Sequence, residues 1–151
     1  MTIRAPLVDM QASAPTSVTG TTGQPVTVTS TCTNAGPDTA EAATCSVSGA
    51  PVGATTICTP TPPIAALAAG AAITCETRFT PTSTAAITLT TTAGSITADT
   101  DPTNDAAPTS VSINSTPQHS DPHAVPTLGE WAMLLMSLML AGLGAWRVRK
   151  G

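Results

Sequence analysis

Apolar and polar residues alternate one by one over most of the first 114 residues of the chain. In the clearest run, Val26, Val28, Ser30 and Cys32 fall on one face, and threonines occupy every position between them. Four further runs repeat the pattern, at residues 43–47, 73–79, 87–91 and 111–113. A period of two is typical of strands with one buried face and one wet face, so the pattern predicts a sheet protein.

Clusters of Gly, Pro, Asn, Asp and Ser separate these runs, and such residues favour turns. They occupy residues 20–25, 34–38, 48–53, 59–63 and 99–104. The Ala-rich stretch 64–72 is interpreted as a connection that contains one turn of helix at most. Because strands and turns recur about every 10–15 residues, the sequence predicts an all-β, Ig-like antiparallel β-sandwich of about seven strands over residues 1–114.

Two segments of different character follow the predicted sandwich. Residues 115–124 are polar, contain Pro and lack apolar rhythm, so they are predicted to be a flexible linker. Residues 125–151 contain a stretch from Trp131 to Trp146 without a charged side chain, which predicts one transmembrane helix over about residues 129–148. Arg147, Arg149 and Lys150 then mark a basic cytoplasmic end, and this orientation places the sandwich outside the membrane.

The start of the chain lacks the pattern of an export signal. Residues 1–11 show no basic region followed by an apolar stretch. Because a domain held outside a membrane has to be exported, we expect an in-frame extension or a longer open reading frame upstream of Met1.

The composition narrows the classes of function. Only 9% of the residues are charged and 2% are aromatic, with one Phe and no Tyr. Before Glu130 the chain carries two cations, Arg4 and Arg78, so no basic patch is available for phosphates and nucleic-acid binding is not expected. No grouping of Ser, His and acid suggests a catalytic triad. We therefore expect a protein that is not an enzyme and needs no cofactor.

The chain has four cysteines, at Cys32, Cys45, Cys58 and Cys75. No two of them form a C-x-x-C pair and both His residues lie far downstream, which disfavours a zinc site. The even number and the small aliphatic core favour two disulfides, made in an oxidising compartment, over free buried thiols. The residues alone leave all three pairings open.

Two groups of polar residues are candidate metal ligands. One lies in the predicted linker and consists of His119, Asp121 and His123. The other precedes the last predicted strand and consists of Asp99, Asp101, Asn104 and Asp105. A flexible linker gives the first group no fixed geometry, and turn formation explains the second group as well as Ca²⁺ binding does. No metal site is therefore predicted, and a Ca²⁺ site in the second group stays an alternative.

The residues that begin the tail form a recognisable motif: Val125, Pro126, Thr127, Leu128, Gly129, Glu130 and Trp131. With the apolar stretch and basic end that follow, this motif resembles the IPTL-type C-terminal sorting signal of Gram-negative bacteria, with Val in place of Ile. The resemblance implies recognition, and cleavage, by an exosortase-type sorting enzyme. It also implies a precursor anchored in the inner membrane that is delivered to the cell envelope or surface.

Four pieces of the body also match a known pattern, at residues 23–28, 33–40, 67–71 and 101–105. In this order they resemble the DUF11 and CARDB-like Ig-fold repeats of bacterial surface proteins, which are non-catalytic spacer or adhesive modules. In the resembled repeats a Cys pair brackets the turn that corresponds to residues 67–70, which implies the disulfides Cys58–Cys75 and Cys32–Cys45. The pairing Cys32–Cys75 with Cys45–Cys58 is the alternative.

Together these features predict a cell-envelope structural or adhesive module that is sorted through its C-terminal signal. Its expected partners are the sorting enzyme, the inner membrane in the precursor, and extracellular matrix or neighbouring repeats. The alternatives are a surface domain that binds carbohydrate or Ca²⁺, and the C-terminal part of a larger multi-repeat adhesin. Exposed stacking aromatics would favour carbohydrate, but the only aromatic residue of the predicted sandwich, Phe79, falls on an inward face.

Overall fold

The computed structural model describes residues 4–117 together with residues 133, 135 and 136. The chain separates into one unit over Met1–Thr116 and another over Pro117–Gly151. All regular structure described in the first unit is β, as predicted, and it comprises nine strands. In chain order these are β1 (Met10–Ser13), β2 (Ser17–Thr21), β3 (Val26–Asn34), β4 (Ala40–Ser48), β5 (Thr55–Thr59), β6 (Ile64–Leu67), β7 (Ala72–Phe79), β8 (Ile87–Gly94) and β9 (Ala106–Asn114).

The strands form two sheets that share one interior. The four-stranded sheet has the order β1-β3-β7-β5, and the five-stranded sheet has the order β2-β9-β8-β4-β6. Neighbouring strands are antiparallel except β2 and β9, which are parallel. Without β2 and β6, this is the seven-strand arrangement of a constant-type Ig sandwich. The structure has nine strands instead of the predicted seven or so. Two strands precede β3, one in each sheet, and β6 was not predicted.

The interpretation of residues 64–72 as a connection with a helical turn is wrong. Residues 64–67 form β6, which pairs with β4 along the edge of the five-stranded sheet. Leu67 lies opposite Ala40, and both side chains are buried. The intrinsic helix preference of Ala is small, and it is overridden here by pairing with β4 and by burial of Leu67. The turn that follows β6 contains Gly70 at a φ of 75°, a conformation that favours glycine.

The predicted alternation is found in the burial of the strands. On β3 the residues Val26, Val28, Ser30 and Cys32 are buried, and the threonines between them are exposed or half-buried. The interior consists of two groups of side chains. The cystine cluster contains Val8, Met10, Cys32, Ala40, Ala43, Cys45, Leu67, Ile73, Cys75 and Ala93. The Phe79 cluster contains Val26, Val28, Phe79, Leu89, Val111 and Ile113.

Two disulfides cross the cystine cluster, and they are the pairs that the resemblance to surface repeats implied. Cys32 on β3 is joined to Cys45 on β4, so this bond links the two sheets, with 5.7 Å between the Cα atoms. Cys58 on β5 is joined to Cys75 on β7, the residue directly opposite in the same sheet, with 4.0 Å between the Cα atoms. One bond therefore ties sheet to sheet, and the other ties an edge strand to its neighbour.

The Asn34 side chain, at the end of β3, is fully buried and makes three hydrogen bonds to the backbone. Its amide Nδ2 donates to the carbonyls of Asp38 and Leu67 at 2.8 and 3.0 Å. Its Oδ1 accepts from the backbone N–H of Gly36 at 3.2 Å. Buried backbone groups need such partners, so one side chain satisfies the turn after β3 and the end of β6 at once.

The sandwich has two ends, which we name after the terminal residues of β3. At the Asn34 end, Met10 pairs with Asn34 as the chain begins β1. At the Val26 end, the chain finishes β9, and the carbonyl of Asn114 accepts from the N–H of Thr22 at 2.9 Å. Since β3 has nine residues, the two ends are about 30 Å apart. The first and last strands of the sandwich therefore connect to the rest of the chain at opposite ends.

Replacing Asn34 by Ala should destabilise the protein by about 3 kcal/mol, because two buried hydrogen bonds and one part-buried hydrogen bond to the backbone are lost. The control is Asn114→Ala, an exposed Asn at the end of β9, which should change stability by less than about 0.5 kcal/mol. Urea unfolding of the purified chain in mild detergent measures both. Equal midpoints for the two variants would show that the Asn34 bonds do not hold the turn.

Removing the two disulfides should have unequal effects. The chain-entropy model assigns about 3 kcal/mol to each, because their sequence separations of 13 and 17 are similar. Cys32 and Cys45 are both buried, however, so Cys32→Ala with Cys45→Ala also loses packing in the core, whereas Cys58 is half-buried at an edge. We expect the first pair of substitutions to cost about 1–2 kcal/mol more than Cys58→Ala with Cys75→Ala in urea unfolding. The opposite ranking would contradict a central role for the bond between the sheets.

Candidate functional site

The loop between β8 and β9 brings the acidic side chains of residues 99–105, the alternative Ca²⁺ site, against the segment before β1. Asp99 forms a parallel bridge with Val8, and Thr100 donates to the Val8 carbonyl through its N–H at 2.8 Å and its hydroxyl at 2.9 Å. The carbonyl of Asn104 accepts from the N–H of Ala12 at 3.0 Å. The loop therefore fixes the first strand along its length.

Most carboxylate oxygens of this loop accept hydrogen bonds from nearby backbone. Asp99 accepts from the N–H of Met10 with one oxygen, and from the N–H of Asp101 at 2.7 Å with the other. Asp101 accepts from both the N–H and the hydroxyl of Thr103, and these bonds lower the pKa of its carboxyl. This is the turn chemistry that the sequence favoured, in which Asp side chains close a loop upon themselves.

Two oxygens of the loop have no partner. They are Oδ1 of Asn104 and Oδ1 of Asp105, and both atoms are buried. The amide of Asn104 donates to Asp9 at 2.9 Å. Burial raises the pKa of the Asp105 carboxyl, and the negative charges of Asp99, Asp9 and Asp101 raise it further. Folding therefore disfavours the ionised form of Asp105 relative to the unfolded chain.

A metal site does not follow from this arrangement. Among residues 4–117 and the three described tail positions, no group of three or more His, Cys, Asp or Glu side chains is placed to hold a metal ion. The alternative of Ca²⁺ binding therefore gains no support from the geometry of the loop.

A second loop, residues 34–38, closes on the other side of the segment before β1. Ala35 donates to the carbonyl of Asp9 at 2.7 Å, and Asp38 accepts from the N–H of Leu7 at 2.7 Å and from Arg4 at 2.7 Å. A Cβ added at Gly36 would lie within 2.6–2.8 Å of the backbone of residues 7–9, so only glycine permits this close approach. We call the segment of residues 7–10, together with these two loops, the terminal clamp.

The sequence pattern does not predict the terminal clamp. Val8 and Met10 are fully buried, but the segment is too short to show alternation. The signal that was available is Gly36 within the sequence Asn-Ala-Gly-Pro-Asp, because a glycine beside Pro and Asp can mark a close backbone approach as well as a turn.

A shallow cavity of about 330 Å³ opens at the Val26 end, lined by Pro25, Val52, Gly53, Arg78, Phe79 and Thr80. Its one charged group, Arg78, is paired with Glu76 at 2.9 Å. The Phe79 ring is 5% exposed and is not available to stack on a sugar. The cavity lacks a nucleophile with a base beside it, so it supports neither catalysis nor carbohydrate stacking.

The remaining predicted site residues lie outside the described part of the chain. These are the sorting motif at residues 125–131 and the basic residues Arg147, Arg149 and Lys150. His119, Asp121 and His123, for which no metal site was predicted, also lie outside it. Most of the predicted transmembrane helix over residues 129–148 is also outside it. Within the described residues there is no helix long and apolar enough to cross a membrane.

Comparison with protein families confirms the resemblance of the tail to the IPTL-type C-terminal signal. Residues 123–150 match the IPTL-CTERM motif, and this segment contains every residue of the predicted sorting motif. A C-terminal signal of this kind fits an exported cell-surface protein. No curated protein matches the chain.

Comparison with solved structures finds proteins that align with most of this chain at low identity. One is the CARDB domain of a protein from Pyrococcus furiosus, solved in complex with di-metal ions, at 13% identity and a TM-score of 0.49 over 76% of this chain and 93% of that chain. Another is the secreted serine protease VesC from Vibrio cholerae, at 16% identity and a TM-score of 0.45 over 71% of this chain and 23% of that chain. A third is the S-layer protein SbsC, domains 4 and 5, at 14% identity and a TM-score of 0.40 over 72% of this chain and 53% of that chain. These identities are too low to carry any site residue over to this chain.

The raised pKa of the Asp105 carboxyl predicts how the stability of the protein depends on pH. Because its folded-state pKa is raised, protonation favours the fold below the ordinary pKa of about 3.8, and this benefit is lost as the pH rises through the folded-state value. Asp105→Asn should therefore stabilise the protein at pH 7, by less than about 1 kcal/mol because water screens the site, and the gain should vanish in acid.

The matched control is Asp101→Asn in the same loop. Its pKa is lowered by hydrogen bonds from Thr103, so its charge favours the fold, and removing it should have the opposite sign at pH 7. Thermal unfolding between pH 3 and pH 7 measures both variants. A loss of stability for Asp105→Asn at pH 7 would refute the electrostatic account of the loop.

Proposed function

We propose that this chain is a non-catalytic structural or adhesive module of the Gram-negative cell envelope, and that an exosortase recognises and cleaves its C-terminal signal. The observation that carries the proposal is the match of residues 123–150 to the IPTL-CTERM motif. In this proposal residues 1–114 form the exported module, residues 115–124 form a linker, and residues 125–151 form the signal with its membrane helix. Arg147, Arg149 and Lys150 hold the precursor in the inner membrane.

The disulfides support export into an oxidising compartment. All four cysteines are paired, and both bonds lie in or against the core. Disulfides of this kind persist outside the reducing cytosol. The core around them is small, with one Phe and mostly Ala, Val and Cys, so the protein depends on a compartment in which the bonds can form.

The outer surfaces of the sheets support a structural role. Across all nine strands the only charged residues are Glu41, Glu76 and Arg78. Threonine and serine occupy most other outward positions, as on β3 and β5, where Thr27, Thr29, Thr55 and Thr59 are exposed. Such a surface contains no cluster of convergent polar groups of the kind that binds a small molecule.

The connections at opposite ends of the sandwich support a spacer. A module whose first and last strands lead away at opposite ends adds its full length, about 30 Å, to any chain of which it is part. The alternative of a C-terminal part of a larger multi-repeat adhesin uses the same geometry, because repeats joined in this way extend in a line.

Substitutions in the sorting motif should block maturation in the native host. Pro126→Ala, Thr127→Ala and Glu130→Gln should each leave a full-length precursor in the membrane fraction, because the motif lies just before the apolar segment, within reach of a membrane-embedded protease. Pulse-chase labelling followed by fractionation measures the ratio of precursor to mature protein.

Pro122→Ala provides the control, since it removes a nearby proline that lies outside the matched segment. It should mature at the normal rate. If the motif variants mature as fast as Pro122→Ala, the tail acts as a simple membrane anchor and the exosortase proposal fails.

A further inference from the structure

The pairing of β2 with β9 differs from every other strand pair among the described residues, because it is parallel. Five residue pairs make up this ladder, from Ser17 opposite Ser110 to Thr21 opposite Asn114. Backbone hydrogen bonds extend to both ends of it. Ser110 donates to the carbonyl of Thr16 at 3.0 Å, and Thr22 donates to the carbonyl of Asn114 at 2.9 Å.

The direction of the two strands determines how they respond to tension. Both β2 and β9 run from the Asn34 end to the Val26 end. A pull applied through the chain before β1 acts toward the Asn34 end, and a pull applied through the chain after β9 acts toward the Val26 end. The pull reaches β2 through β1. Once β1 separates from β3, β2 and β9 are drawn past each other along their length, and all hydrogen bonds of the ladder are strained together. A ladder pulled open from one end would instead lose its bonds one at a time.

Packing on the inner face supports the ladder. Val111 and Ile113 of β9 are buried in the Phe79 cluster, and Val18 of β2 packs against that cluster. A Cβ added at Gly20 would lie 2.5 Å from Cγ2 of Val26 and 3.0 Å from Cδ1 of Ile113, so glycine lets β2 approach the core closely. Water reaches the hydrogen bonds less readily from this side, which slows their replacement by bonds to water.

The Val26 end carries an additional latch. The hydroxyl of Thr22 donates to the carbonyl of Asn114 at 3.1 Å, and the hydroxyl of Thr116 donates to the carbonyl of Thr22 at 3.0 Å. At the Asn34 end, the terminal clamp holds the segment before β1 between two loops. The antiparallel pair of β1 with β3 has four further residue pairs, which the same pull also draws along the strand direction.

We propose that the sandwich is a tension-bearing element, in which the parallel β2–β9 ladder resists extension between the two ends of the module. The inference rests on the proposed function for its biological setting, an envelope protein held at one end, but the mechanical property belongs to the sandwich alone. Resistance to force reflects the rate of unfolding, so it depends on how many bonds have to break in one step.

Optical-trap unfolding of the full chain in detergent tests the proposal by comparing two directions of pull. In the first, handles are attached at the N-terminus and the C-terminus, which loads β2 against β9 along their length. In the second, Val52→Cys supplies a unique thiol in a fully exposed loop at the Val26 end, since all four native cysteines are disulfide-bonded. Pulling between residue 52 and the C-terminus peels β9 away from its end. The first direction should require at least about twice the force of the second.

Disulfides identify the unfolding event. With both bonds intact, the segments between Cys32 and Cys45 and between Cys58 and Cys75 cannot extend. Reduction should therefore lengthen the unfolded chain by about 100 Å, from sequence separations of 13 and 17. The forces are compared for unfolding events that show this change in length. The proposal is overturned if the force in the first direction is equal to or lower than the force in the second.

A backbone substitution provides the second test. Ser110→Pro removes the N–H that donates to Thr16, and Ser110→Ala keeps it while removing the same exposed hydroxyl. The Pro variant should lower the force in the first direction and the Ala variant should leave it unchanged, whereas equal forces in the two variants would count against the ladder. If the Pro variant does not fold, the proposal is decided by comparing the unfolding forces of the two pulling directions in the chain that carries Val52→Cys alone. Failure of sorting in cells would leave these forces unaffected, so the two proposals are tested separately.

Discussion

The bond between Cys32 and Cys45 is the constraint on which the rest of the sandwich depends. It joins the two sheets through a core whose other members are mostly Ala and small aliphatic side chains. Alanine buries little apolar area, so the hydrophobic contribution per residue is low and a covalent link replaces part of it. Ala40, Ala43 and Ala93 allow the sheets to approach closely enough for the bond to form between β3 and β4.

Much of the fold was predictable because the sequence is regular where the sheets are regular. Val26 to Cys32 and Ile73 to Phe79 alternate in the sequence and in burial, because a strand with one wet face needs period two. The pairing of the cysteines, in contrast, did not follow from spacing. It came from the resemblance to surface repeats, and the structure contains the same two pairs.

What the sequence concealed are features produced by contacts between distant segments. Residues 64–67 carry no strand signal of their own. They form β6 because the edge of β4 is open for pairing and because the Leu67 side chain becomes buried in the core. Likewise, Val8 becomes buried only because the loops around Gly36 and Asp99 close over it. The acidic group at residues 99–105 was recognised as a turn, but its contact with Asp9 and Met10 depends on tertiary structure. The sorting motif was recognisable from the sequence because it depends on the order of neighbouring residues and not on tertiary contacts.

The scarcity of charge on the strands has a consequence for the medium in which the protein works. Hydroxyl groups of Thr and Ser keep the sheet faces hydrated without ionising, and the only charged strand residues are Glu41, Glu76 and Arg78. Interactions between charges weaken as salt concentration rises, whereas hydration of a hydroxyl changes little with salt or acidity over the range in which cells grow. An exported cell-surface protein meets the salinity and acidity of its surroundings directly. The sheet faces therefore present nearly the same surface in fresh water, brine and acid, whereas the carboxylates of the loop between β8 and β9 respond to both salt and acidity.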